Sequence, residues 1–212
     1  FFSDNGGLIA RYDRIPLLAE RNLKIYEDNP LQYIASSNAP LRAEKGTVYQ
    51  GGIRVPLIIK WPDIIKPGRI SKKVVTSVDF YPTFLEIIKA AKPRGQVLDG
   101  ISLMPEFTGK DLQGERPVFW HYPVYHHAVP AGAVRLGDWK LIENFVKGNF
   151  ELYNLKADIS EAMDLSLLYP DKTKELKKIL KKWQGDVNAE FPVANPDFNE
   201  DKRYIWGKHP DR

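Results

Sequence analysis

Apolar and polar positions alternate most regularly in the carboxyl-terminal half of the chain. Four short runs, Val118-Phe119-Trp120, Ala133-Val134-Arg135, Lys140-Leu141-Ile142 and Glu151-Leu152-Tyr153, are separated by turn signals such as Leu136-Gly137-Asp138. Short runs punctuated in this way predict a small antiparallel sheet. From Asp171 the period changes. Leu176, Ile179, Leu180 and Trp183 fall on one helical stripe, with six lysines at other positions, so a helix is expected to cover one face of that sheet. The tail from Phe191, with Pro192, Pro196 and Pro210, reads as a surface segment.

The amino-terminal half is less regular. Phe1-Phe2-Ser3 reads as the end of a buried β-strand, stopped by the turn Asp4-Asn5-Gly6-Gly7. Residues 8–40 show no clear period and read as a loop-rich insertion with one short helix. Ile53 to Trp61 is a β-rich run in which Pro56 demands an edge position or a strand that starts after it. Asp79 stands where it can cap a helix with Pro82 in its first turn. Tyr81, Phe84, Leu85 and Ile88 then recur at helical spacing and predict a one-sided buried face. Around Pro93 to Gly114 the composition turns to Gly, Pro and charge, which divides the chain into a first domain of residues 1–110 and a second of residues 111–212. No internal repeat is present.

The chain of 212 residues is 43% hydrophobic and 12% aromatic, enough for a substantial core, and this excludes a disordered or collagen-like chain. Its 31 basic and 27 acidic residues leave a net charge of only +4. Charge so evenly spread argues against a dedicated nucleic-acid or membrane-surface binder. No window approaches the roughly eighteen consecutive apolar residues of a membrane-spanning helix. With no cysteine, disulfides, thiolate metal sites and a cysteine nucleophile are excluded within this chain.

Three clusters could carry chemistry. Asp4-Asn5, at the carboxyl end of the expected strand, offers two hard oxygens suited to Ca²⁺ or Mg²⁺, and ligands collect at that end of open α/β sheets. Asp4-Asn5-Gly6-Gly7 is also an ordinary tight turn in which Asp and Asn bond their own backbone, and spacing alone favours that reading. Lys45 lies among small residues and glycines, where an ammonium could meet an anionic oxygen; a solvated loop lysine is the plain alternative. His121, His126 and His127 lie in His121-Tyr122-Pro123-Val124-Tyr125-His126-His127. Adjacent histidines on an extended chain point apart and do not readily share one ion. That segment reads equally as a substrate-lining loop or a surface loop.

The order of these pieces says more than any one of them. Ser3-Asp4-Asn5-Gly6-Gly7, Ser37-Asn38-Ala39-Pro40-Leu41-Arg42, Lys45-Gly46-Thr47-Val48-Tyr49-Gln50-Gly51-Gly52-Ile53-Arg54-Val55-Pro56, Trp61-Pro62, Lys66-Pro67-Gly68 and Val78-Asp79-Phe80-Tyr81-Pro82-Thr83-Phe84-Leu85 succeed one another. Leu98-Asp99-Gly100-Ile101-Ser102-Leu103, Arg135-Leu136-Gly137-Asp138-Trp139-Lys140-Leu141 and Glu151-Leu152-Tyr153-Asn154-Leu155 follow. From residue 1 to about Trp183 this succession resembles the carboxyl-terminal portion of the type I, formylglycine-dependent sulfatases.

The resemblance implies an α/β, alkaline-phosphatase-like fold, here the carboxyl-terminal part of its main domain with a small antiparallel-sheet-and-helix subdomain. It implies hydrolysis of sulfate esters, aryl sulfates or sulfated glycans, at a divalent cation, usually Ca²⁺, with Mg²⁺ as the alternative. Asp4 and Asn5 match metal ligands of the family, and Lys45 matches a lysine that contacts the substrate sulfate. Arg54 and Asp79 are expected to fix the loop and cap the helix. The family's formylglycine motif is absent; its local look-alike, Asn38-Ala39-Pro40-Leu41-Arg42, has Asn where an oxidisable Cys or Ser is required. The nucleophile and the remaining metal ligands are therefore expected from a missing amino-terminal part. An exported or lysosomal setting, whether periplasmic, secreted or lysosomal, is implied by resemblance alone. The alternatives are a phosphate or phosphonate monoester hydrolase of the same superfamily and a non-catalytic remnant that binds sulfated glycans.

Overall fold

The computed structural model describes residues 1–8, 37–110, 114–125 and 128–199. The irregular stretch expected between residues 8 and 40 lies almost wholly outside them. The described residues form two compact units. The smaller is Phe1 with Leu57–Arg116, and the larger comprises the described parts of Phe2–Pro56 and Pro117–Arg212.

In the larger unit the alternating runs form β1 (Val118–Tyr122), β2 (Ala131–Leu136), β3 (Trp139–Asn144) and β4 (Phe150–Asn154). They make one antiparallel sheet in sequence order. Leu136 pairs with Trp139 across a two-residue turn, where Gly137 takes a positive φ of 59°, as a tight hairpin requires. Between β3 and β4 the Asn144 side chain accepts from the backbone N–H of Val146 and Lys147, both at 3.0 Å, which fixes the bend.

The sheet is buried on both faces. Val134, Leu141 and Leu152 point to one side and meet Leu176 and Leu180 of a long helix, Pro170–Asp186; all five are fully buried. Each such side chain contributes on the order of 1.5–3 kcal/mol. Phe119 stacks on Trp183 with centroids 4.6 Å apart and planes within 2°. The helix opens with Pro170 in its first turn, followed by Asp171, an arrangement suited to the unpaired N–H groups and positive end there. On the opposite face Ala131, Ala133, Ile142 and Tyr153 pack with Val48, Leu155 and, more loosely, Tyr49, Trp120 and Tyr122. The loop carrying Val48 and Tyr49 therefore covers this second face. It contains a short helix, α1 (Gln50–Ile53), so the first residue of the expected β-rich run is helical. Backbone bonds of Gly52 and Ile53 to the Tyr49 carbonyl, at 2.9 and 3.2 Å, close that turn.

In the smaller unit α2 spans Phe80–Ile87 and α3 spans Met104–Phe107. The long helix of the larger unit is α4. Asp79 stands before α2 but does not cap it. Its buried carboxylate accepts from Thr76 N–H at 2.7 Å, from Ile101 N–H at 2.9 Å and from Arg116, which ties three segments together. The stripe expected to be buried on α2 is instead largely open, with Tyr81 42%, Phe84 57% and Ile88 69% exposed; Thr83 is the buried position. The Thr83 hydroxyl donates to Asp79 O at 2.5 Å and accepts from Leu103 N–H at 2.9 Å, so a polar anchor occupies the inward side. Phe1 was expected in a buried strand. It is 80% exposed, while its amino group donates to Ile58 O at 2.7 Å and its carbonyl accepts from Ile58 N–H at 2.8 Å.

Candidate functional site

The loop from Arg42 to Gly52 folds back on itself through Gly51 N–H to Arg42 O at 2.7 Å, and the Thr47 hydroxyl donates to Glu44 O at 2.9 Å. This closure depends on glycine. A Cβ on Gly51 would stand 2.1 Å from Ala43 O, and one on Gly52 would stand 2.3 Å from Thr47 O. Asn38 bridges the same fold: its side-chain NH₂ donates to Gly7 O at 2.7 Å and approaches Ala43 O and Gly51 O, each at 3.2 Å. The residue at the nucleophile position of the look-alike motif is thus a tie between backbone segments.

The Asp4-Asn5 turn is fastened to this loop. Gly6 N–H donates to Gly52 O at 2.9 Å and Lys45 N–H donates to Gly7 O at 3.2 Å. The Ser3 hydroxyl donates to Asn5 O at 2.9 Å. Asp4 and Lys45 are exposed and Asn5 is half-buried. Backbone bonds therefore bring together the segments that carry these three residues. Their donor set, a carboxylate and an amide carbonyl, fits a hard cation such as Ca²⁺ or Mg²⁺ but provides only part of a shell of six or more oxygens. Among the described residues no group of three His, Cys, Asp or Glu side chains is placed to hold a metal.

A polar network lies beneath the loop. Lys140 on β3 is fully buried, and its Nζ donates to Val48 O and to Glu161 Oε1, both at 2.6 Å. Glu161 Oε2 accepts from Gln50 N–H at 2.7 Å, and Glu161 O accepts from the Arg42 guanidinium at 2.7 Å. Arg42 also donates to the Tyr153 hydroxyl at 2.8 Å and lies 4.0 Å from the centre of the Tyr49 ring. The hydroxyls of Tyr49 and Tyr153 both donate to Glu151 Oε2, at 2.7 and 2.8 Å. Burial lowers the Lys140 ammonium from its ordinary range to about 8, against the opposing pull of Glu161. Burial and the bonds to Glu151 push both tyrosine hydroxyls well above their ordinary value, so they remain protonated donors. None of these six residues was singled out as a site from the sequence. One signal was available: Lys140 is in phase with Ile142, so the strand period already aims it at a buried face.

His121 lies elsewhere. It follows Phe119 on the α4 side of the sheet, with its ring 5.0 Å from Phe145 and 5.3 Å from Phe191. Its Nε2 is 2.7 Å from Glu190 O. Lys45 belongs to the loop on the other face, so the structure does not bring His121 and Lys45 together. His126 and His127 fall outside the described residues. A cavity of about 30 Å³ between Tyr49, Val129, Ile142 and Glu151 has room for water but not for an ester substrate.

Residues 43–189 match the family model described as N-sulphoglucosamine sulphohydrolase, C-terminal. A sulfatase of Formosa agariphila is 36% identical over 192 residues, covering 81% of this chain and 34% of its own length. The structure of Ps i-CgsB in complex with k-i-k-neocarrahexaose superposes with a TM-score of 0.63 at 28% identity, covering 71% of this chain and 33% of that one. That of BT4656 in complex with its substrate D-glucosamine-2-N,6-O-disulfate superposes with a TM-score of 0.57 at 30% identity, covering 67% and 30%. The chain thus spans about a third of the length of these proteins.

Proposed function

The chain belongs to the sulfatase family, and from that premise we propose that it is the carboxyl-terminal portion of an enzyme that hydrolyses sulfate esters of glycans or aryl alcohols. The observation that carries this reading is the pair of backbone bonds joining the Asp4-Asn5 turn to the Lys45 loop. They hold two hard-oxygen donors and a cation on adjoining segments, the charge pattern that a sulfate ester bound beside a divalent metal requires. The sulfated sugar that is the substrate of one structural neighbour, and the hexaose bound by another, support sulfated sugars as the substrate class.

Asp4 and Asn5 would hold Ca²⁺, or Mg²⁺, together with ligands from an upstream portion that also provides the formylglycine nucleophile. When bound, the cation withdraws charge from the non-bridging sulfate oxygens. Lys45 does the same from the protein side. Its ammonium is exposed and can reach an anionic oxygen, and its benefit is greatest where charge accumulates in the transition state. An upstream portion is also supported by the apolar side of α2, since Tyr81, Phe84 and Ile88 form an exposed row that a further part of the protein would cover.

The test compares Asp4→Ala and Lys45→Ala in the complete parent enzyme, with an aryl sulfate as substrate. Both are expected to lower kcat/KM by on the order of 100-fold or more. Added Ca²⁺ restores part of the rate for Asp4→Ala, which lacks a metal ligand, and none for Lys45→Ala. Equal rescue of the two variants rejects this division of roles.

A further inference from the structure

We propose that Glu161, charge-paired with Lys140, is a positioning residue: it clasps the Arg42–Gly51 loop at both ends and thereby fixes Lys45 against the Asp4-Asn5 turn. The inference rests on the reading of Lys45 given above and adds the device that holds it. Glu161 meets the loop twice directly and a third time through Lys140. Its backbone carbonyl takes the Arg42 guanidinium at the start, one carboxylate oxygen takes Gln50 N–H near the end, and the other takes Lys140 Nζ, which in turn holds Val48 O. Gly51 N–H to Arg42 O closes the loop between these points. Lys45 is then the exposed bend of a clip whose limbs are bound from below.

The backbone at Glu161 points the same way. It has a φ of 51°, the left-handed region that favours glycine, yet glutamate occupies it and is fully buried. Such a conformation persists only where its surroundings over-determine it. Here the Asp158 carboxylate accepts from Ala162 N–H at 2.8 Å and Met163 N–H at 2.9 Å, holding the turn that aims Glu161 inward. The pair also differs from an ordinary core contact in what it grips. Both its charges terminate on backbone groups of the loop, whereas an apolar pair of equal volume could fill the space without holding the loop in place.

The experiment is a double-mutant cycle in the full-length parent enzyme with 4-nitrophenyl sulfate. Glu161→Gln is expected to lower kcat/KM by about 10–100-fold when Lys45 is present, the cost of misplacing a reacting group by an ångström or so. In a Lys45→Ala background the same change should cost less than about threefold, because the residue it positions is gone. Lys140→Met/Glu161→Leu, which replaces the pair with apolar side chains, should keep the wild-type circular dichroism spectrum and show the same non-additive loss. Wild-type kcat/KM in that folded variant, or equal loss from Glu161→Gln in both backgrounds, overturns the clasp. Full activity of Lys45→Ala alone instead defeats the assignment of Lys45, and the clasp with it.

Discussion

Gly6→Ala is the sharpest perturbation of the join between the Asp4-Asn5 turn and the Lys45 loop. A Cβ built on Gly6 lies 1.7 Å from Gly51 O, 2.7 Å from Gly51 C and 2.9 Å from Gly52 Cα, whereas real Cβ atoms essentially never approach closer than 3.0 Å. All three neighbours are backbone, so no side-chain rotation relieves the clash, and the two segments must part by more than an ångström. That separation breaks the 2.9 Å bond from Gly6 N–H to Gly52 O, a loss of about 0.5–1.5 kcal/mol. Overpacking adds about 1–3 kcal/mol. The sum is a destabilisation of roughly 1.5–4.5 kcal/mol. The accompanying shift of Asp4 and Asn5 relative to Lys45 is expected to cost about 100-fold in kcat/KM. Urea unfolding and steady-state hydrolysis of an aryl sulfate by the parent enzyme, at saturating Ca²⁺, measure the two effects. Gly185→Ala is the control: a Cβ there meets nothing within 4 Å, and the change should stabilise α4 by up to about 1 kcal/mol with unaltered kinetics. A Gly6→Ala enzyme with wild-type stability and wild-type kcat/KM would refute the claim that this contact sets the geometry of the join.

Leu180→Ala empties a fully buried position between α4 and the sheet and should cost about 2–5 kcal/mol by denaturant titration, with kcat/KM of the remaining folded enzyme near wild type. For Lys140, burial lowers the folded-state value to about 8 from an ordinary 10.5, so between those pH values the unfolded chain holds more protons and this residue's contribution to stability rises with pH. The stability difference between wild type and Lys140→Met should therefore grow in favour of wild type from pH 8 to 10.5; a flat or falling difference rejects the shift. His121→Ala removes a ring packed near Phe145 and Phe191 and should lower the unfolding midpoint while leaving the ratio of activity on aryl sulfate to that on a sulfated oligosaccharide unchanged. A selective loss on the oligosaccharide would instead put His121 at the substrate. The isolated 212-residue chain should show no calcium-dependent hydrolysis of an aryl sulfate, since the nucleophile it would need is not among its residues.

The sheet and α4 were legible in the sequence because their signals are local. Alternation, a glycine at the hairpin and a helical stripe each act within a few residues, and the observed strands and the Pro170–Asp186 helix follow from them. The apolar stripe on α2 misled for a related reason: period shows which residues share a side but not whether this chain covers that side. His121 illustrates the same limit. Its neighbours in sequence suit a substrate-lining loop or a surface loop equally, and the contact its ring nitrogen makes, Glu190 O, lies 69 residues away where no local signal points. The polar network was illegible because Lys140 and Glu161 are 21 residues apart and grip backbone atoms around residue 50, a placement no local period encodes. By contrast, Asp4, Asn5 and Lys45 were singled out as chemically suited residues and by resemblance, without the backbone bonds that join their segments.

The two-sided sheet has an optical consequence. Trp120 packs with the loop-side cluster, whereas Trp139 and Trp183 pack with the helix-side cluster, so each face carries its own intrinsic fluorophore. With Trp61 and Trp206 already changed to phenylalanine, replacing Trp120, or Trp139 and Trp183 together, in the same way would leave this chain's emission weighted toward one side of the partition. A spectral change on adding Ca²⁺ or substrate could then be assigned to the loop side or to the helix side without attaching any external dye.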